Sequence, residues 1–382
     1  MPSKKDVLLL SVDDAAVTIG AQFREVALGL LITALNPAAS SYAWYFLAGS
    51  IPGLFLAHIY AWTSTRYGPR QVMIASYGLR LLLVLGLWRV ANFWMALVML
   101  AGMATGRGFY SASQAQYVAV QGDFAGTRKV VMRLRQSESA MRLAGPLVAG
   151  LVLAEIGYRS GFLLSAAVYV VAMVAIANLS PIASTAAKTL YERLPWRPDG
   201  AALAMMGLSF LTWQANTLAM AYTFHVLHRH AFGYGLTLCV WGGSGLAASL
   251  LLSYVHTRPM RWIAPMFVIL GVSWLILSYG VSFPVFVVLG GVEGLAGWMV
   301  QDLAVSFILA QAPKGHSGQA RARLNFYDEL GSIAGTTSLL LVPANWLVLP
   351  MYAILGILGI VMAIAWAIVD KLHQSRHPFQ GS

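Results

Sequence analysis

Residues 159–180 read RSGFLLSAAVYVVAMVAIANLS, and residues 181–200 read PIASTAAKTLYERLPWRPDG. The first stretch carries no charge between Arg159 and Pro181, over a length that suffices to cross the hydrocarbon of a bilayer, for which about 20 apolar residues are needed. The second holds three prolines together with Lys188, Glu192, Arg193, Arg197 and Asp199, and neither its charge nor its prolines let an apolar helix continue. A span followed at mid-chain by a polar, proline-bearing connector points to two membrane halves joined by a linker.

The same alternation recurs on both sides of this junction. Apolar stretches fall at 7–35, 42–64, 71–89, 92–115, 132–156 and 159–180, then at 201–227, 233–256, 262–281, 283–312, 321–342 and 346–371. They predict an all-α polytopic membrane protein of about twelve transmembrane helices in two six-helix bundles, 1–180 and 201–382, with 181–200 as a cytoplasmic linker. The fourth and tenth stretches exceed one bilayer crossing, so their C-terminal ends are expected to project.

Of the 382 residues, 58% are hydrophobic and only 10% charged, whereas soluble domains carry roughly 25% charged residues. Such a chain has no room for a sizeable soluble domain, and its function must lie within the membrane. The net charge of +11 does not call for nucleic acid. With both termini in the cytoplasm, Arg66, Arg70, Arg128, Lys129, Arg133, Arg193, Arg197, Arg321 and Arg323 fall on that side, and only Arg89, Arg159 and Arg229 on the other. This is the positive-inside bias, and basic loops suit anionic lipid headgroups. Short loops and tails fit a multi-pass protein of a bacterial inner membrane. The basic start MPSKKDVLLLSVDD meets Asp13 and Asp14 without a small-residue cleavage site, so it reads as a retained first helix. The single cysteine, Cys239, excludes an internal disulfide framework.

At an offset of 190 residues, Arg133, Leu134, Ala144 and Gly145 match Arg323, Leu324, Ala334 and Gly335, and Glu138 falls on Asp328. A second echo sets Gln22 and Ala27 against Gln214 and Ala219. Both link a helix to the one six places on, as a duplication would.

On these features the chain resembles the major facilitator superfamily, and within it the exporter branch of drug:proton antiporters and siderophore and macrolide effluxers, more distantly the lysophospholipid transporters. The resemblance rests on the turn with Arg66, Gly68, Pro69 and Arg70, and on GPLVAG with Gly145, Pro146 and Gly150, similar to an antiporter signature GPxxGG. It implies two pseudo-symmetric bundles that work by alternating access around a central cavity. Small residues on GPLVAG would let helices approach closely, and Pro146 would let one bend. Two departures stand out. Thr65 replaces the aspartate of the family's second-to-third-helix loop, and Ala21 replaces one that often follows glycine in the first helix; Glu25 is a candidate substitute.

Ionisable groups inside spans are costly unless paired or wet. Asp13 reads either as a cation or proton site or as a headgroup-level residue. Arg24 and Glu25 lie deeper, and neighbours at i and i+1 cannot face one another. Arg80 and Arg107 lack partners within their own helices and call for a carboxylate elsewhere or for a substrate phosphate, carboxylate or carbonyl. Gln114 extends the polar face of Arg107. Trp213, Gln214 and Asn216 offer an amphipathic surface or interhelical hydrogen bonds. Glu293 and Asp302, nine residues apart, lie on roughly opposite faces, and Asp302 with Gln301 is taken as the cavity-lining choice. Glu138 and Arg142, at i and i+4, form a structural pair or a gate, with Asp328 as counterpart in the second half. His225, His228 and His230 read as an outer loop, not a metal site.

The sequence therefore predicts a secondary active transporter exporting an amphipathic organic molecule by proton antiport, a monomer without cofactor. Lysophospholipid transport and ferroportin-like divalent metal efflux are the alternatives. No GxxxxGKS/T, HExxH or GxSxG is present, which argues against ATP-driven pumping and against an enzyme.

Overall fold

A computed structural model describes residues 4–121, 141, 143–180, 200–252, 259–311, 317–343 and 348–376. Among them the chain forms twelve α-helices: α1 (Lys4–Leu35), α2 (Ser40–Tyr67), α3 (Pro69–Arg89), α4 (Phe93–Gln121), α5 (Leu143–Ile156), α6 (Ser160–Ala177), α7 (Gly200–Ala221), α8 (Ala231–Leu252), α9 (Ile263–Leu277), α10 (Phe283–Gln311), α11 (Ser317–Leu340) and α12 (Leu349–Arg376). The described residues contain no strand. In a membrane this follows from the backbone itself, because a lipid-exposed peptide group has no water to bond and a helix satisfies its own.

Helix ends differ from the expected spans where polar residues sit at the boundary. α1 starts at Lys4, not near 7, and α9 ends at Leu277, four residues short of expectation. α4 and α10 each run 29 residues, about 44 Å at 1.5 Å per residue, longer than the roughly 30 Å of hydrocarbon. The expected seventh span is not one uniform helix, since α7 passes at Tyr222–Val226 into a π-helical turn.

Six helices, α1, α3, α6, α8, α10 and α12, contain spans long and apolar enough to cross a membrane by composition. Others exchange apolar for polar residues, as in the opening SGQARARLNFYDELGS of α11. Such helices depend on packing against neighbours in lipid.

The chain divides into two compact units. One comprises Met1–Pro37, Trp44–Tyr191 and Arg229–Cys239, the other Ala38–Ala43, Glu192–His228 and Val240–Ser382. In the first, α3 packs on α4 and α6, and α1 on α6; in the second, α9 packs on α10 and α12, and α7 on α11. The relation of α3 to α4 and α6 thus recurs six helices later.

Two glycines 190 residues apart both stand at close helix crossings. A Cβ on Gly145 of α5 would stand 2.5 Å from Cγ of Gln22 on α1, and one on Gly335 of α11 would run into the Phe210 carbonyl of α7. At Gly335 a larger residue would have to separate the helices, and at Gly145 it would have to displace the Gln22 side chain.

Candidate functional site

The polar centre of the first unit begins on α1. Taking the helix midpoint between Lys4 and Leu35, Asp13 lies about 10 Å to one side and Arg24 about 7 Å to the other. With that midpoint set at the bilayer centre, both would fall within the half-thickness of the hydrocarbon, where a charged group costs several kcal/mol unless it is compensated.

Asp13 is fully buried, and its compensation comes from two other helices. The hydroxyl of Tyr77 on α3 donates to Oδ1 at 2.6 Å, and that of Tyr110 on α4 donates to Oδ2. Hydrogen bonds to a charged acceptor each contribute about 1.5–3 kcal/mol. Arg80, one turn beyond Tyr77, adds a favourable charge.

Arg80 is itself 3% exposed. Its guanidinium sits 4.5 Å from the ring centre of Tyr169 on α6 and 5.6 Å from that of Tyr77, while its Nε has no hydrogen-bond partner among the described residues. Gly106 of α4 makes room for the side chain, since a Cβ there would lie 2.7 Å from Arg80 Cγ. Tyr169 also accepts a hydrogen bond from Arg24 Nη1. Asp13, Tyr77, Tyr110, Arg80, Tyr169 and Arg24 therefore form a polar and aromatic column that follows α1 for about 16 Å, eleven residues at 1.5 Å each.

Of the residues singled out in the sequence, Asp13, Arg80 and Arg24 are brought together here. Glu25 is half-buried and, like Arg24, acts electrostatically on Tyr45 of α2. Arg107 is exposed on α4, and Gln114 is half-buried with Nε2 enclosed and without a hydrogen-bond partner among the described residues. The three tyrosines were missed. Tyr77 stands three residues before Arg80, on the same helix face, and this spacing was the available signal.

In the second unit, Trp213, Asn216, Gln301 and Asp302 are half-buried. Gln214 is buried and donates to the Phe210 carbonyl of its own helix at 3.1 Å. Asp328 of α11 accepts a hydrogen bond from Ser209 of α7. Glu138 and Arg142 lie outside the described residues. His228 and His230 are exposed, whereas His225 meets the Tyr42 hydroxyl at 3.3 Å. Among the described residues no group of three or more His, Cys, Asp and Glu side chains is placed to hold a metal ion.

The motif residues occupy junctions. Gly68 has φ 82° and stands just before α3, with Pro69 in its first turn, a left-handed turn that favours glycine followed by the proline position helices prefer. Arg70 donates to the Ala177 carbonyl at the end of α6. The guanidinium thus meets the negative end of a helix in a chain that has Thr65 where the family latch has an aspartate. Arg70→Ala is expected to lower resistance to unfolding in detergent by about 1 kcal/mol; an unchanged midpoint would show that the contact contributes nothing. Gly145 packs on Gln22, and a Cβ on Gly150 would meet the Ala231 carbonyl of α8 at 2.8 Å and Gly235 Cα at 3.3 Å.

Comparison with known proteins agrees with this architecture. The nucleoside transporter NupG superposes with a TM-score of 0.76 at 12% identity, covering 97% of this chain and 100% of its own. The peptide transporter POT in complex with sulfate gives 0.74 at 12%, covering 97% and 95%. A bacterial homologue of the iron transporter ferroportin in an inward-facing state gives 0.71 at 14%, covering 96% and 99%. At such identities these likenesses speak for the fold alone. No curated protein matches by sequence. Residues 17–336 match the Major Facilitator Superfamily, and the chain belongs to that family of membrane transporters.

Proposed function

We propose that this chain is a secondary active transporter that exports an amphipathic organic molecule in exchange for protons, with Asp13 as the proton-carrying group. The observation that supports this reading is the burial of Asp13 within a span, between two tyrosine hydroxyls and beside Arg80. A tyrosine hydroxyl can donate to a carboxylate or accept from a protonated carboxyl, so both states of Asp13 can be housed. They differ in what they do to Arg80. The carboxylate compensates the guanidinium, and protonation removes that compensation inside a low-dielectric bundle, where charge interactions are strong. Proton binding thereby changes which helix arrangement is favoured, as a coupled transporter requires.

The test uses purified protein in liposomes loaded with pyranine. Amphipathic dyes added one by one are expected to trigger proton movement in the presence of at least one of them. Proton movement with none of a chemically broad panel would overturn the antiport reading.

Arg80 favours one alternative. A buried guanidinium with an unbonded Nε suits a phosphate, and lysophospholipid handling predicts headgroup-selective uptake that Arg80→Gln abolishes. Uptake of phosphate-bearing and phosphate-free lipids at equal rates would dismiss it.

A further inference from the structure

One face of α2 carries a pattern that the column around Asp13 does not explain. Trp44, Ile51, Phe55, Ile59, Trp62 and Arg66 are all exposed, and at about 100° per residue they fall within one arc of about 80°. Trp44 and Trp62 stand 18 residues apart, about 27 Å along a helix, close to the roughly 30 Å of hydrocarbon in a bilayer. Each therefore sits where tryptophan is favoured, at a membrane–water interface. At its end Trp44 meets the exposed ring of Trp94 on α4 edge-on, with centres 5.7 Å apart. The two tryptophans set the depth of Arg66. It lies one turn past Trp62, about 6 Å further out, at the level of lipid phosphates and on the side to which the sequence assigns the basic loops.

The guanidinium of Arg66 is held in place there. It stands 5.2 Å from the ring centre of Trp62 and 5.8 Å from that of Tyr67, and the two rings are perpendicular to one another. All three side chains are exposed, so the rings confine the guanidinium without covering it. They do not neutralise it, since a cation over an exposed ring gains only about 0.5–1 kcal/mol. Among the described residues these rings are its partners, and Thr65 precedes it where the family loop has an aspartate. Arg70 of the same turn, by contrast, is engaged by the Ala177 carbonyl.

We propose that this end of α2 binds an anionic phospholipid, with the phosphate on Arg66 and an acyl chain along Ile59, Phe55 and Ile51. The length of the face fits such a chain. From Trp62 to Ile51 is about 16 Å, and one leaflet of hydrocarbon is about 15 Å deep. Phe55, midway along it, is 73% exposed. A planar guanidinium offers phosphate two parallel N–H donors, and rings that restrict its motion lower the entropic cost of binding. A zwitterionic headgroup brings its own cation and gains less from Arg66. A second copy of this chain, docked symmetrically on the same face, would set two copies of Arg66 side by side. The site lies on the outside of the first unit, so it holds its lipid whatever solute the chain moves.

The probes are phosphatidylglycerol and phosphatidylcholine with identical acyl chains. Native mass spectrometry of the full chain released from detergent is expected to show preferential retention of phosphatidylglycerol. Arg66→Gln should weaken the tightest-bound phosphatidylglycerol about fivefold, the effect of one basic residue near an anionic surface. The wild-type protein supplies a readout of position. Phosphatidylglycerol with a photoactivatable acyl chain is expected to label α2 between Ile51 and Trp62 more than the phosphatidylcholine analogue does, and Arg66→Gln should abolish that preference. Equal retention of the two lipids, unchanged binding by Arg66→Gln, or labelling without headgroup preference would overturn the proposal. So would displacement of the lipid by inorganic phosphate, which would make this a site for the free anion, or cross-links between α2 of two copies, which would make it a dimer face.

Discussion

Replacing Arg80 by Gln is expected to destabilise the folded protein by about 3–5 kcal/mol, the usual consequence of removing one partner from a buried charge arrangement. The cause lies less in what the guanidinium contributes than in what its loss leaves behind. Asp13 is fully enclosed, and without the nearby cation the hydroxyls of Tyr77 and Tyr110 are left, among the described residues, to offset it. The ring contacts of Arg80 with Tyr169 and Tyr77 disappear as well. Removing the charge from Asp13 should relieve the penalty, so Asp13→Asn/Arg80→Gln is expected to be more stable than the sum of the single changes by at least about 1 kcal/mol. Denaturation by SDS in mixed micelles measures all four proteins. Strict additivity would show that the two groups do not act on each other.

The second large effect is expected at Gly150. A Cβ there would already stand 2.8 Å from the Ala231 carbonyl and 3.3 Å from Gly235 Cα, and neither is a flexible side chain that can turn aside. The branched side chain of Gly150→Val must push α5 from α8, at a cost of about 1–3 kcal/mol for overpacking. Because small-residue crossings also let helices slide, transport is expected to fall more than stability, by at least about tenfold. Circular dichroism in detergent and dye efflux from cells, measured on the same variant, separate the two. Wild-type efflux would show that this crossing has no part in function.

These outcomes depend on features that were unequally legible in the sequence. Apolar runs broken by charge and proline are local properties, and they foretold the helices well, while the linker read at 181–200 lies almost wholly outside the described residues. The echo of Gly145 in Gly335 was legible because both glycines stand at close helix crossings. Arg70 was noticed as a motif residue, but its bond to Ala177 joins residues 107 positions apart and left no trace in spacing.

The site shows the same division. Asp13, Arg24 and Arg80 stand out because charges are rare in apolar runs. Tyr77, Tyr110 and Tyr169 do not, since the chain has 16 tyrosines and many are expected at the membrane interface. Which of them reach a carboxylate 64 and 97 residues away is decided by packing. Helical periodicity separated Glu293 from Asp302 but could not say which one the neighbouring Trp274 would enclose. The π-helical turn after Ala221 was likewise invisible, being set where Tyr222 packs on Phe286 and Tyr352.

The most direct test of proton coupling at Asp13 compares two modes of transport in the same liposomes, using whichever dye moves protons in the wild-type protein. Counterflow exchanges labelled for unlabelled dye and needs no net proton transfer, while concentrative uptake under an imposed pH gradient does. Asp13→Asn is expected to retain counterflow and to lose gradient-driven accumulation by about a hundredfold, since a group that cannot change charge cannot link the two fluxes. Accumulation at the wild-type level in Asp13→Asn would contradict the assignment.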